Sequence, residues 1–467
     1  MSDKRQLDPT ILREYDIRGI VGDGFNADEF RVIGRGFGSV VIENAGSEKI
    51  PTVAVGFDGR LSSPELANAL SDGLTAAGVD VIKIERGPTP MLYFAMHEFA
   101  ADGGMMITGS HNPPDYNGIK MVLDGHSFFG EEIQALGQRI AEGNFSEGSG
   151  RVEERSLSAR YIERMLEDFV AGKDLSVAWD PGNGAAGEIV QELVKQLPGN
   201  HFLINAEIDG TFPNHHPDPT VEKNLVQLKE LVTKQGCDLG IGFDGDGDRI
   251  GIVDSGGRVL WGDQIMVVLA RDVLRNHPGT PIISEVKASK VFFDEVAKAG
   301  GEPIMWAAGH SLIKSKMAEM KAPLAGEMSG HIFFADKYYG YDDAIYSALR
   351  LLSILTQSDQ SVADMRDSLP QMLNTPELRF ECLEARKFAV IEEVKERLAK
   401  VSGIAVHDID GVRVETEDGW WLLRASNTQA VLVARCESTD EAGLSRLKAT
   451  VRDQLIASGI EPPADFD

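Results

Sequence analysis

Short apolar runs bounded by glycine or polar turns alternate along this chain with longer stretches whose apolar positions recur every three or four residues. That alternation predicts βαβ units and mainly parallel sheets. Strands are predicted at Val53–Phe57, Val79–Ile84, Gly104–Ile107, Ser176–Trp179, Asp238–Phe243, Pro281–Ser284 and Ile304–Ala307. A helix is predicted from Ser158 to Gly172, capped by the serine and ended by the glycine, with Ile162, Met165, Leu166, Phe169 and Val170 on one stripe. The polar stretch Glu142–Arg155 reads as a domain junction. Three segments, Val53–Arg60, Gly104–Pro113 and Leu239–Arg249, repeat a strand followed by a glycine-rich polar turn, and Phe57-Asp58-Gly59-Arg60 echoes Phe243-Asp244-Gly245. Related α/β layers are expected from that theme, with chance likeness of short turns as the alternative. The last stretch differs: strands at Trp420–Leu423 and Ala430–Arg435 around a polar turn, then a helix to about Ile456, predict an α+β domain. The tail Glu461–Asp467 is expected to fray.

The chain's 467 residues exceed one core and predict three to four domains of ~100–150 residues each. Lys+Arg 46 against Asp+Glu 73 leave a net charge of −27, which argues against nucleic acid and anionic membranes as partners. An anionic small substrate stays open, because charges beyond ~8 Å are screened at physiological salt. Cys237, Cys382 and Cys436 show no paired spacing and predict a reducing compartment without disulfides. No apolar signal segment follows Met1 and no run reaches the ~18 residues of a membrane span, so a cytoplasmic protein is expected.

Thr108-Gly109-Ser110-His111-Asn112-Pro113-Pro114-Asp115-Tyr116-Asn117-Gly118-Ile119-Lys120 places a serine in a proline-stiffened turn directly after an apolar run. Such a turn holds a hydroxyl at the rim of a sheet, where open α/β folds place their chemistry. Alone it suggests an exposed nucleophile. Ser110 is not in G-x-S-x-G, since Thr108 and Asn112 fill the glycine positions. Asp244-Gly245-Asp246-Gly247-Asp248-Arg249 can turn three carboxylates onto one hard cation. An EF-hand is excluded, because its sixth and twelfth positions are Arg249 and Ser255 here. Three protein ligands suit Mg²⁺, which completes its shell with phosphate oxygen. Gly326-Glu327-Met328-Ser329-Gly330-His331 offers groups suited to sugar hydroxyls, or a capped helix start. Arg424-Ala425-Ser426-Asn427-Thr428 offers a phosphate cradle, or an ordinary hairpin turn. Gly34-Arg35-Gly36-Phe37-Gly38-Ser39 misses the dinucleotide fingerprint at its last glycine.

These four loops, in this order and across nearly the whole chain, resemble the α-D-phosphohexomutase family. The Met328-containing loop most resembles bacterial phosphomannomutase/phosphoglucomutases; phosphoglucosamine mutases usually have glutamine at that position. The resemblance implies an α/β protein of three related domains with mixed sheets plus a C-terminal α+β domain, heart-shaped around a central cleft. The expected divisions are 1–154, 155–257, 258–370 and 371–467, each giving one loop. Ser110 is implied as the phosphoserine and a metal ligand, and Asp244, Asp246 and Asp248 as Mg²⁺ ligands. Glu327, Ser329 and His331 are implied at the sugar, and Arg424, Ser426, Asn427 and Thr428 at the non-reacting phosphate. Arg13-Glu14-Tyr15-Asp16-Ile17-Arg18-Gly19 matches a family signature that brings Tyr15 and Arg18 to the cleft, and Lys287 and His310 match further positions near substrate. One departure is Gln429-Ala430 after Thr428, where many relatives have a proline shortly after the threonine.

The implied reaction is the reversible interconversion of hexose 1-phosphate and hexose 6-phosphate through a hexose 1,6-bisphosphate. Lys120 and His310 are the acid/base candidates, Arg249 and His111 complete the catalytic group, and Arg18 is expected to lower the lysine's pKa. Arg18, Lys120, Arg249, Lys287 and Arg424 are expected to make the cleft basic. A monomer is expected, with a dimer as the alternative. Rival readings are a phosphoglucosamine mutase, a metal-dependent sugar-phosphate hydrolase and a non-enzymatic sugar-phosphate binding protein.

Overall fold

The structure, a computed structural model, describes residues 5–22, 24–46, 49–427 and 429–463. Seven strands form the first sheet: β1 (Ile17–Ile20), β2 (Thr52–Phe57), β3 (Asp80–Arg86), β4 (Gly103–Ile107), β5 (Tyr116–Leu123), β6 (His126–Ser127) and β7 (Val152–Arg155). Strands β4, β2, β3 and β7 run parallel, while β5 turns back antiparallel on β4. A second sheet contains β8 (Ser176–Asp180), β9 (Asn200–Leu203), β10 (Leu239–Phe243), β11 (Ile250–Asp254) and β12 (Val259–Leu260). Here β9, β8 and β10 are parallel and β11 turns back on β10. The third sheet repeats the plan with β13 (Pro281–Glu285), β14 (Glu302–Trp306), β15 (Leu324–Gly326) and β16 (Ile332–Phe334): the first three are parallel and β16 turns back on β15. The fourth sheet is antiparallel, built from β17 (Leu373–Asn374), β18 (Leu378–Glu381), β19 (Ala405–His407), β20 (Val412–Thr416), β21 (Gly419–Ala425) and β22 (Val431–Ser438).

All seven predicted strands are present, within a residue or two at their ends. The repeat is differently placed. The equivalent units are the antiparallel connections β4–β5, β10–β11 and β15–β16. Val53–Arg60 instead leads from β2 into the helix Ser63–Ala77 and toward a parallel neighbour. The predicted helix from Ser158 stops at Leu166, where the chain bends to dock on the helix Ala344–Thr356. Val170 N donates to Ser353 and Lys173 N to the Thr356 carbonyl, and a Cβ at Gly172 would lie 2.3 Å from that carbonyl oxygen. Ser158 does not cap the helix; its hydroxyl donates to Glu85. The expected junction at 142–155 contributes β7 to the first sheet.

One contiguous buried cluster joins side chains of the first three sheets, including Met106, Val177, Ile241, Ile282 and Leu324. Each such fully buried side chain contributes roughly 1.5–3 kcal/mol. The helix Thr89–Glu98 lies within this cluster and is buried along nearly its whole length. A separate cluster around Val390, Val412, Trp421 and Val451 serves the fourth sheet and its helices. Among the described residues, no helix is long and apolar enough to cross a membrane.

Candidate active site

The connection from β4 to β5 carries Ser110. Its backbone is left-handed, φ +50°, a strained conformation for a residue with a side chain. Thr108 Oγ1 accepts from Ser110 N at 2.8 Å. The serine Oγ stands 3.1 Å from His111 Nδ1 and 3.4 Å from Asp244 Oδ2. The expected exposure is not found: Ser110 is 2% exposed, because the aspartate loop closes over it. A Cβ at Gly245 would lie 2.4 Å from the Ser110 carbonyl oxygen, so only glycine admits that approach. Burial, with Arg249 nearby, holds the His111 imidazole well below its ordinary pKa.

The aspartates sit in the connection from β10 to β11, all fully buried. Asp244 Oδ1 accepts from the backbone N–H groups of Asp248 and Arg249, each at 3.1 Å, and so fastens the turn on itself. One oxygen from each of the three carboxylates lies within 4.8 Å of the others. Lys120, reaching in from β5, donates to Asp246 at 2.7 Å and Asp248 at 2.5 Å. Asp246 Oδ1 and Asp248 Oδ1 are buried without a hydrogen-bond partner. Burial and the charges of Asp248 and Asp246 push the Asp244 carboxyl well above its usual range. Three carboxylates beside one ammonium, with two orphaned oxygens, fit a divalent cation with a preference for oxygen ligands. Burial pulls the Lys120 ammonium down, but Asp246 and Asp248 outweigh it and hold its pKa well above the ordinary value. The expected lowering by Arg18 is therefore wrong. Arg18 pairs with Asp16 and donates to Asn112 Oδ1 at 3.2 Å.

The connection from β15 to β16 forms a tight turn rather than a helix start. Glu327 accepts from Gly309 N at 2.8 Å, which ties this turn to the start of the helix His310–Met320. Ser329 is half-buried at the turn. His331 accepts from Arg249 Nε at 2.9 Å, and its ring stacks on His310 with centroids 5.3 Å apart. Its Nδ1 lies 3.0 Å from Asp342 Oδ2, and Asp342 also receives Lys314 at 3.0 Å. Burial, with Lys314 nearby, holds the His310 imidazole well below its ordinary pKa.

The β21–β22 turn closes the site from the fourth sheet. Arg424 Nε donates to Asp410 at 3.0 Å, and Asn427 Nδ2 donates to the Tyr15 hydroxyl at 2.7 Å. Tyr15 in turn donates to the Ala308 carbonyl at 2.9 Å, so one phenol joins three parts of the chain. Thr428 lies outside the described residues. After Thr428, Gln429 N donates to Ser426 Oγ, Gln429 accepts from Arg379, and Lys387 Nζ donates to the carbonyls of Ser426 and Gln429. Side chains of Arg379 and Lys387 brace this turn.

The predicted residues thus gather from all four sheets, but the cleft is not simply basic. Arg18 faces Asp16, Lys120 faces Asp246 and Asp248, Arg249 lies 3.9 Å from Asp244, Lys287 lies 3.3 Å from Glu285, and Arg424 faces Asp410. Paired cations are held in fixed positions before any ligand arrives. Sequence reasoning missed Asp342 and Asp410, since a lone aspartate in a polar loop carries no signal of its own. It also missed Thr89, whose hydroxyl donates to Asp246 at 2.5 Å.

Comparison with known proteins agrees along the chain. Family models described as phosphoglucomutase/phosphomannomutase match residues 9–147 (alpha/beta/alpha domain I), 159–257 (domain II), 261–373 (domain III) and 377–454 (C-terminal domain). A phosphomannomutase/phosphoglucomutase of Pseudomonas aeruginosa is 43% identical over 460 residues, 98% of either chain. A phosphoglucomutase of Neisseria gonorrhoeae is 40% identical over 441 residues, 94% of this chain and 95% of that one. The crystal structure of a phosphoglucomutase/phosphomannomutase family protein from Burkholderia thailandensis superposes with a TM-score of 0.91 at 42% identity, covering 97% of this chain and 98% of that one. Matched in each of its four parts and over nearly its whole length, the chain belongs to the phosphoglucomutase/phosphomannomutase family.

Proposed function

We propose that this chain interconverts hexose 1-phosphates and hexose 6-phosphates of glucose and mannose, with Ser110 as the phosphoryl carrier and a hexose 1,6-bisphosphate as the intermediate. The observation that carries the reading is a buried serine hydroxyl 3.4 Å from one of three clustered aspartates. Asp244, Asp246 and Asp248 would hold Mg²⁺ with the phosphorylated Ser110, and its charge would offset the nearly two negative charges of a phosphoserine.

The chain's own groups do the rest. As the bond from Ser110 Oγ to phosphorus breaks, a bond forms from phosphorus to the free hydroxyl oxygen of the sugar. Lys120 and His310 are the candidates for taking up that hydroxyl's proton and for returning one to Ser110. His111 and Arg249 flank the transferring group, with Arg249 also orienting His331. Glu327, Ser329 and His331 hold the sugar, while Arg424, Ser426, Asn427 and Thr428 grip the phosphate that does not react, with Lys287, Tyr15 and Arg18 at the margins. Reorientation then presents the other phosphate to Ser110, and transfer reverses. Donors fixed in advance by ion pairs lower the cost of holding either end of the sugar. We assign the unit boundaries close to the expected divisions, the first moved past Arg155 at the end of β7, the second moved past Leu260 at the end of β12, and the third kept after residue 370. A monomer is assigned as the working form and the cytoplasm as location, in keeping with three free buried cysteines.

Phosphorus NMR tests the reaction. With Mg²⁺, a trace of glucose 1,6-bisphosphate and either glucose 1-phosphate or mannose 1-phosphate, the 6-phosphate should accumulate without free phosphate. Steady release of inorganic phosphate would make the protein a hydrolase instead.

A further inference from the structure

The Asp58-Gly59-Arg60 echo of the aspartate loop has a place in the fold that the reaction above does not use. Arg60 is 1% exposed and lies beneath the serine loop. Its Nη2 donates to the carbonyl oxygens of Ser110 at 2.9 Å and Asn112 at 2.6 Å. Its Nη1 donates to those of Pro113 at 2.5 Å and Tyr116 at 3.0 Å. Nε donates to Asp58 Oδ2 at 3.2 Å, and that same oxygen accepts from Gly109 N at 3.2 Å. The ring of Phe212 covers the guanidinium from the second unit, 5.2 Å from Cζ.

We propose that Arg60 is a positioning residue for phosphoryl transfer: it gathers four carbonyl oxygens of the serine loop inward and so holds Ser110 in the left-handed pose that presents Oγ to the aspartates. The inference rests on the reading of Ser110 as the phosphoryl carrier. Two physical consequences follow. A carbonyl aimed at the guanidinium cannot also turn its negative end toward the phosphoryl group. The strained φ of Ser110 is maintained by contacts on both sides of it, from Gly109 to Tyr116, rather than by the serine's own preference. Only a planar fork with several donors spans such a set, so lysine keeps the charge and loses the geometry.

The test uses wild type, Arg60→Lys and Gly109→Ala. A Cβ at residue 109 would lie 2.4 Å from Arg60 Cζ and Nε, so this second variant displaces the guanidinium without removing any polar group. Intact mass and peptide mapping after treatment with glucose 1,6-bisphosphate come first: wild type without a phosphoryl group on Ser110 ends the carrier reading, whatever Arg60 does. With the carrier established, Arg60→Lys should lower kcat about 100-fold or more while KM for glucose 1-phosphate stays within about threefold. Gly109→Ala should lower kcat by at least about tenfold, and the double variant should be no slower than Arg60→Lys. Overturning results are a kcat for Arg60→Lys within about fivefold of wild type, a loss expressed mainly in KM, or losses that multiply in the double variant. If Arg60→Lys melts below assay temperature, Gly109→Ala decides alone: a tenfold loss in kcat at unchanged KM supports the clamp, and a loss under about twofold overturns it.

Discussion

The serine loop and the aspartate loop occupy corresponding places, each joining a parallel strand to the antiparallel neighbour that follows it. They are held by opposite means. The aspartate loop closes on itself, through a carboxylate that accepts two N–H groups of its own turn. The serine loop is longer, contains two prolines, and hangs its carbonyls on an arginine from the turn after β2. A loop rich in carboxylates can supply its own ties, because they are good acceptors. A loop built around one serine has few side-chain acceptors to spare, and borrows its rigidity.

The largest expected effect separates the two loops by role. Ser110→Ala should reduce turnover by at least about four orders of magnitude and abolish the phosphoenzyme mass shift, while Mg²⁺ titration calorimetry finds the metal site still occupied. Asp246→Asn should do the reverse, weakening Mg²⁺ and slowing turnover by about 10²–10³-fold with Ser110 intact. A serine variant that loses the metal would merge the two loops into one functional unit.

Next in size is the contact between them. Gly245→Ala places a methyl group against the Ser110 carbonyl and should cost about 10–100-fold in kcat through misplacement near the nucleophile. Full activity in that variant would mean the loops need not touch.

The smallest effect concerns what stands behind each loop. Arg60 does not titrate near neutrality, but the 180–185 segment behind the aspartate loop is pinned by His215, whose Nε2 lies 2.9 Å from Asp180. Burial pulls this imidazole down, yet the hydrogen bond and charge of Asp180 outweigh it and raise its pKa above 6.5. The protonated pair therefore stabilises the fold fully below pH 6.5, and that contribution is lost as pH rises through the folded value. A modest fall in thermal midpoint between pH 6 and 8 is expected in wild type and should be reduced in His215→Gln; an unchanged slope would remove the pair from that role.

Much of this was legible because the informative residues lie in turns after short apolar runs, where spacing survives as a local pattern. The strands β2, β4, β8, β10 and β13 were read this way, and so were Ser110, Asp244, Asp246 and Asp248. The helix Thr89–Glu98 was invisible for a physical reason: apolar on nearly every side, it shows no stripe. Asp342, Asp410 and Arg60 become meaningful only through partners distant in sequence. Arg60 stands in a sequence echo of the aspartate loop, but the echo marks no equivalent place in the fold: it leads from β2 into a helix, not into an antiparallel strand. The third hairpin, Leu324–Phe334, is the better counterpart and shares almost no residues with the other two.

The fourth sheet has its own core, and the turn bearing Arg424 belongs to it. That arrangement has a consequence for the order in which the protein is made. During synthesis Ser110, the Asp244–Asp248 cluster and the 326–331 turn precede the fourth sheet in the chain and can come together on a core that is already continuous. On the proposed function, a nascent chain would present Ser110 and the aspartates before Arg424 and Asn427 are in place, and competence would arrive with the folding of the fourth sheet.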